Sequence, residues 1–468
     1  MPLKSREYSL APAASVDFLM APVSNIVVME AWTKHIDRVG VPAYRGDLKR
    51  RSKPADSGIE SVMYGVKVRK RAVVAATPRK LLFVQPRSDL YGSSRSLHRL
   101  VGALDKRAYE SIVVLSRDGP GRRRLEQAGA RVLVIPRVGD LDRRDLLPWR
   151  CAMIPAHFLS ATQSLLRIIR REGIDLVHSN TSVILAAALA AKCAHVPHVY
   201  HVREMYGEFP LLWKLHRRFI MWASCEVVCV SAAVARQFPA GRATVIHNGF
   251  DFDVECPISP ARGVVNAKSG SGGTMRVGCV GRIKWRRKGQ EVLIRAVALL
   301  KERGVPIHAL IVGSPFAGNE SHLRWMASLA RRLGVDDRVL FKEEQLDIWQ
   351  YYAQMDVLVM PSVLPEPLAN VILEAMAMGL PVVASRGGGT VDLVADGISG
   401  FLVEPGDSVD LADKLEDLQR HPQKRRAMGA AGQRRQREEF SLRRCAGPLD
   451  ALYRRILNIP ADQNTDRE

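Results

Sequence analysis

At 468 residues the chain exceeds what one hydrophobic core ordinarily serves, which predicts two domains plus extensions. Its 47% hydrophobic and 25% charged residues exclude a fibrous or wholly disordered chain. No run approaches the ~18 uninterrupted apolar residues of a membrane-spanning helix. The 69 basic against 48 acidic side chains leave a net +21, which suits anionic small molecules, acidic lipid or nucleic acid without choosing among them. Seven scattered cysteines with no CxxC pair predict reduced thiols, a cytoplasmic setting and no metal site, the pair Cys225 and Cys229 included.

Residues 1–79 have weak periodicity and a basic second half, and predict a basic, partly disordered N-terminal extension. The apolar stretch from Phe18 to Trp32 is broken by Ser24, Asn25 and Glu30, which disfavours a signal peptide. Order is expected from Lys80. Leu81 to Val84, Ile112 to Leu115, Val132 to Ile135, Ile174 to His178, Pro197 to His201, Val227 to Ser231 and Ala243 to Ile246 read as short buried strands. Helical patterns lie between them, one opened by Gly92-Ser93-Ser94 with Ser93 or Ser94 as N-cap. Others run from Arg122 to Ala128, up to Arg171, from Ser182 to Cys193 and from Leu212 to Trp222. Such alternation predicts a parallel sheet wrapped by helices over residues 80–256.

Gly, Ser, Pro and Ala dominate residues 257–273, which predicts a linker. The alternation restarts over 274–440, with strands at Val277 to Gly281, Ala309 to Val312, Val339 to Phe341, Val357 to Met360 and Pro381 to Ala384. A final amphipathic helix is expected within 441–458, followed by a tail, 459–468. The fold class is therefore α/β, two Rossmann-like doubly wound domains facing a central cleft.

Two carboxylates stand out in the second half. Pro365 and Pro367 keep Glu366 in a loop, whereas Glu374 lies about one turn inside the helix that starts near Asn370. The N–H groups of a helix start carry partial positive charge, which suits a phosphate or a sugar hydroxyl. Arg282 follows the strand ending at Gly281, and Lys288 precedes the next helix; both belong at a strand's carboxyl end and offer charge for phosphate oxygens, unless they are part of a merely basic loop. Gly92-Ser93-Ser94 and Gly387-Gly388-Gly389 are short glycine loops fit for close backbone approach, or plain turns. His201 ends a strand, where a polar residue facing the cleft is expected, although a lone histidine is more often structural. His178 has the same standing with less support.

These residues, in this order, resemble the retaining family 4 glycosyltransferases of GT-B fold. Gly281-Arg282 with Lys288-Gly289 looks like that family's phosphate clamp. Glu366 and Glu374 are similar to its two glutamates with seven residues between them. Glu374-Ala375-Met376-Ala377, Gly379, Pro381-Val382-Val383, Gly388-Gly389 and Gly400 follow at similar intervals. Gly92 resembles its first-loop glycine, and Asn248-Gly249-Phe250-Asp251 its asparagine–glycine turn before the linker. The resemblance covers about Lys80 to Leu457. It implies that Glu374 binds the donor's ribose and that Arg282 and Lys288 hold its diphosphate. Glu366, with the backbone of Leu368, Ala369 and Asn370 and with Val371 beside them, would contact the donor sugar. Gly92 and Ser93 would approach the donor, His201 would lie near the reacting face, and the last helix would cross back onto the first domain. Departures are Ser93 for a second glycine, Leu368-Ala369 for phenylalanine–glycine, Asp392 for glutamate, and Lys342-Glu343 where a glycine is usual.

The function so implied is transfer of a sugar from a nucleotide diphosphate sugar to an acceptor hydroxyl on a glycan, a lipid-linked molecule or a small molecule, with retention of anomeric configuration. No metal and no cofactor is expected beyond the donor. An anionic membrane surface is a candidate partner, through the basic and apolar stretches Arg143 to Arg171 and Leu212 to Trp222. Nucleic acid is disfavoured because aromatic residues are not interleaved with the basic runs. The alternatives are a binding protein that uses its basic charge and another GT-B enzyme, such as a sugar-nucleotide epimerase.

Overall fold

The computed structural model describes residues 77–89, 92–136, 138, 154–206, 210–256, 273–316, 318–343 and 347–460. Most of the N-terminal extension, nearly all of the linker, the basic stretch before residue 154 and residues 461–468 of the tail lie outside the described residues.

Short apolar runs become strands because β-branched and aromatic residues fill pleated, two-sided burial. Seven of them form one parallel sheet: β1 (Arg79–Gln85), β2 (Tyr109–Leu115), β3 (Arg131–Val134), β4 (Leu176–Ser179), β5 (His198–Val202), β6 (Glu226–Cys229) and β7 (Thr244–Val245). Six form a second: β8 (Met275–Val280), β9 (Ile307–Val312), β10 (Val339–Lys342), β11 (Val357–Met360), β12 (Val382–Ser385) and β13 (Gly400–Val403). Their orders are β3-β2-β1-β4-β5-β6-β7 and β10-β9-β8-β11-β12-β13, two doubly wound domains. Strand order reverses between β1 and β4 in the first sheet and between β8 and β11 in the second. The loops leaving these four strands therefore line the switch points, where such sheets hold ligands.

Apolar side chains cover both faces of each sheet. Leu81 and Phe83 face one core of the first sheet, Leu82 and Val84 the other. The Leu442–Leu457 helix lays Leu449, Leu452 and Tyr453 on the first domain, although the chain reaches it from the second. Burying each large apolar side chain contributes about 1.5–3 kcal/mol, so this helix fastens the two domains together. Gln436 Nε2 donates to the Phe250 carbonyl at 2.8 Å and adds to the same fastening.

Several local expectations shift. β13 has no counterpart in the sequence reading, because it is only four residues long and opens with glycine. The helix expected from Ser182 begins at Leu185, since the Glu204 carboxylate holds the Ser182 N–H at 3.2 Å and bends the chain there. Ser93 and Ser94 lie inside the Gly92–Ala103 helix and do not precede it. Ser94 Oγ donates to the Arg87 carbonyl and to Asp89 Oδ1 at 3.3 and 3.0 Å, and so fastens the preceding loop.

Candidate functional site

The loop after β11 is held in place by backbone contacts. Gly289 has φ 69°, and a Cβ there would lie 1.8 Å from the Pro361 carbonyl oxygen. Gly388 has φ 58°, and its Cβ would lie 2.0 Å from the Glu366 carbonyl oxygen. Only glycine fits either position. The glycine loop at 387–389 thus presses on the backbone of residues 366–367, with the Gly389 N–H donating to the Glu366 carbonyl at 2.8 Å. Its close approach is made to this loop.

Held so, Glu366 Oε2 accepts from Lys288 Nζ at 2.9 Å and Oε1 accepts from Ser362 Oγ at 3.2 Å. The Arg282 guanidinium lies 3.5 Å over the Phe316 ring, and its backbone carbonyl accepts from Gln290 Nε2 at 3.0 Å. Ala369, in extended conformation, precedes the Asn370–Ala377 helix, and no side chain caps that helix start. Leu368 and Val371 pack partly buried on the second domain's core. The loop after β11 therefore brings a lysine, a glutamate and an uncapped helix N-terminus together.

Across the cleft stands the start of the Gly92–Ala103 helix. Asn370 Nδ2 donates to the Gly92 carbonyl and to Ser96 Oγ, both at 3.1 Å. The two switch points therefore meet. The Ser93 carbonyl accepts from Asn180 Nδ2 at 3.0 Å, and Ser93 Oγ accepts from Gln85 Nε2 at 3.4 Å.

Glu374 is fully buried, and its oxygens already have partners. Oε1 accepts from Arg95 Nη2 at 2.9 Å and from Arg99 Nη2 at 3.3 Å, and Oε2 accepts from the Tyr352 hydroxyl at 2.9 Å. Arg99 also pairs with Glu255. Burial opposes the charge on Arg99, but Glu255 and then Glu374 outweigh it and hold its pKa above the ordinary value. Arg95 and Arg99 sit four residues apart on one amphipathic helix, and sequence reasoning gave neither a role.

His201 lies buried at the end of β5, its ring edge-on to His178 at 5.4 Å. Its Nδ1 faces Arg203 Nη2 at 3.3 Å, and Nε2 has no partner among the described residues. Burial, then Arg203, then His178 depress its pKa well below the ordinary 6.5, so the imidazole is neutral at neutral pH. His178 is buried behind it, with Nδ1 2.8 Å from the Tyr453 hydroxyl.

Sequence reasoning placed Arg203 in the run from His201 to Glu204 at a strand end but gave it no role. Its guanidinium is buried, lowered by that burial to about 10 and thus still cationic at neutral pH. Nη1 donates to Asn248 Oδ1 at 2.6 Å, and Nη2 donates to Asn180 Oδ1 at 3.0 Å. Asn248 Nδ2 in turn donates to Asn370 Oδ1 at 2.8 Å. The only textual signal was its place just after a strand, beside the histidine that drew attention. Asp392 joins the domains as well, accepting from the Ala232 N–H at 2.8 Å and lying 3.1 Å from His247 Nε2.

No group of three or more potential metal ligands occurs among the described residues. The site offers positive charge and backbone N–H groups opposite a glycine-started helix, an arrangement suited to an anionic ligand with hydroxyl groups attached.

Comparison with known proteins agrees with this fold. Residues 91–254 match the family model described as Glycosyltransferase Family 4, and residues 274–421 match that described as Glycosyl transferases group 1. The D-inositol 3-phosphate glycosyltransferase of Corynebacterium urealyticum is 30% identical over 345 residues, 67% of this chain and 80% of that protein. The GDP-mannose-dependent alpha-(1-6)-phosphatidylinositol monomannoside mannosyltransferase of Mycolicibacterium smegmatis is 36% identical over 194 residues, 39% of this chain and 49% of that protein. Among solved structures, Anabaena HepE in complex with UDP and glucose superposes with a TM-score of 0.67 at 26% identity, covering 80% of this chain and 99% of that one. WaaG, a glycosyltransferase involved in lipopolysaccharide biosynthesis, shares the fold with a TM-score of 0.58 at 16% identity, covering 80% and 99%. With both switch points meeting in one cleft and a family model matching each half, this chain belongs to glycosyltransferase family 4 and has the GT-B fold.

Proposed function

We propose that this glycosyltransferase moves a hexose from a nucleoside diphosphate sugar to an acceptor hydroxyl with retention of anomeric configuration. The observation that carries the reading is the Lys288 ammonium 2.9 Å from Glu366, beside a helix start that no side chain caps. Bond breaking at the anomeric carbon leaves charge on the departing diphosphate. Lys288, Arg282 and the N–H groups around Leu368, Ala369, Asn370 and Val371 stabilise that charge. The departing phosphate oxygen takes the acceptor's proton on the face it leaves, so the acceptor arrives on that same face. Glu366 holds sugar hydroxyls and keeps Lys288 oriented. The neutral His201 lends an N–H to the sugar and is not a base. Charge comes from side chains, so no metal ion is called for, and a chelator leaves turnover unchanged.

Glu374 takes the ribose hydroxyls once Arg95 gives way. Arg95 is the more exposed of its two arginine partners, with 18% of its side chain accessible against 2% for Arg99. The relatives' names, which mention inositol phosphate and a phosphatidylinositol mannoside, support a polyol or lipid-linked acceptor. A face of the Ile154–Glu172 helix presents Arg167, Arg170 and Arg171 along with Leu159, which is 55% exposed, and favours work against an anionic membrane surface. No helix among the described residues is long and apolar enough to cross a membrane. The cytoplasm is the proposed compartment; the free thiols of Cys193, Cys225, Cys229, Cys279 and Cys445 suit it.

A thermal-shift screen with UDP-, GDP- and ADP-sugars, followed by turnover with and without an acceptor, tests the reading. Donor-specific stabilisation and acceptor-dependent release of nucleoside diphosphate support it. Acceptor-independent conversion of the donor would point to an epimerase, and no stabilisation by any nucleotide sugar would refute donor binding.

A further inference from the structure

A guanidinium has five N–H donors and no acceptor, so every atom that Arg203 faces must accept. That one fact orients a whole cluster. Arg203 Nε donates to the Asn180 carbonyl and to Asn180 Oδ1, both at 3.1 Å. The Asn180 amide nitrogen must then face away, and it donates to Gln85 Oε1 at 2.7 Å and to the Ser93 carbonyl at 3.0 Å. On the other side Arg203 fixes Asn248 Oδ1, which turns Asn248 Nδ2 towards Asn370 Oδ1. Asn370 Nδ2 is thereby directed to the Gly92 carbonyl. Finally, Nη2 faces His201 Nδ1, which must carry the lone pair, so the proton of the neutral ring sits on Nε2. No carboxylate hydrogen-bonds to the Arg203 guanidinium among the described residues; the neighbouring Glu204 turns to Thr181 and Ser182. A buried cation held by neutral oxygens is costly unless each bond is made, so these orientations are strongly enforced.

We propose that Arg203 is a positioning residue of the transfer reaction, fixing through one set of donated bonds both the Nε2–H tautomer of His201 and the Asn248–Asn370–Gly92 bridge between the domains. It touches no reacting atom. It makes His201 a hydrogen-bond donor whose N–H has no partner among the described residues, and it sets the start of the donor-side helix against the start of the Gly92–Ala103 helix. Displacing such a framework by ~1 Å commonly costs about 10²-fold in rate. The proposal rests on the assignment of this cleft to the donor, and its first readout is independent of turnover.

The experiment uses the full chain with nitrogen-15-labelled histidine and three variants. In the wild type, the His201 signal, assigned by its loss in His201→Gln, reads a neutral ring protonated at Nε2. A ring protonated at Nδ1, or charged at pH 7, overturns the proposal. Asn248→Asp keeps an acceptor for Arg203 but removes the donor to Asn370. The expected result is an unfolding temperature at or above that of the wild type with kcat down about 10²-fold and donor affinity within roughly threefold, because Lys288 lies outside the relay. A purely structural role predicts unchanged kcat in that variant, and that result also overturns the proposal. Arg203→Lys, which keeps the charge but not the planar fork, is expected to lose as much kcat; full rescue by lysine contradicts the directional account.

Discussion

Arg95 Nη2 lies 2.9 Å from Glu374 Oε1, a bond between the two domains that closes over the carboxylate assigned to the donor's ribose. Ribose and Arg95 therefore compete for one acceptor. Arg95→Met is expected to lower the donor KM at least roughly threefold, since a competitor for Glu374 is gone. It also removes a charge-assisted bond to a buried group, so the unfolding free energy falls by about 1–3 kcal/mol. Arg99 and Tyr352 remain on the carboxylate and keep the fold. Glu374→Gln shifts affinity the other way, raising donor KM about 10-fold or more. Steady-state kinetics with calorimetric melting checks both, and an unchanged KM in Arg95→Met removes the competition.

Lys288→Ala takes away the ammonium beside Glu366 and is expected to lower kcat by about 10²-fold or more. The Lys288 side chain is 30% exposed, so the melting temperature changes little. Wild-type turnover in the purified variant would show that the diphosphate is held elsewhere.

Gly388→Ala drives a methyl group into the Glu366 carbonyl and asks alanine to adopt φ 58°. A shift of the 361–367 loop follows, with strain of about 1–3 kcal/mol. Turnover should fall more than melting temperature, because the loop carries Glu366 and little core. Equal activity with a lowered melting temperature would limit the glycine to a structural part.

Four buried histidines among the described residues tie stability to pH. Burial lowers His198 to about 3 and His216 to about 4, and burial with Arg203 depresses His201, while His178 is depressed likewise. The unfolded chain binds protons near pH 6.5 that the native state refuses, so stability is fully present above that value and falls as pH drops towards the folded pKa values. Between pH 6.5 and 5 each such group costs up to roughly 2 kcal/mol. Melting temperature is expected to drop steeply over this interval in a pH series. A flat profile would mean that these rings titrate normally in the folded chain.

Most of the strands were legible because each is a local apolar run, and the β11–loop–helix unit because Pro365, Pro367, Asn370 and Gly379 punctuate it within a few residues. β13 was lost to its glycine start and shortness. Glu366 and Lys288 were legible as residues of the second domain, and their pairing follows from adjacent strand ends. What stayed hidden is contact between distant positions. Arg203 and Asn248 are 45 residues apart, and Arg99 and Glu374 are 275 apart. Nothing in the spacing of a helix face tells a solvated arginine from one that crosses a cleft. Two glycine loops read either as fit for close backbone approach to a ligand or as plain turns; at 387–389 the approach is to a neighbouring loop, a distinction that only the packed backbone supplies.

The most direct measurement is the anomeric configuration of the transferred sugar, read by proton NMR at early times with a donor that stabilises the protein and an acceptor that it consumes. Retention predicts the same configuration in product and donor, with Lys288→Ala forming that product far more slowly. A product of opposite configuration would contradict the same-face departure and attack on which the account rests.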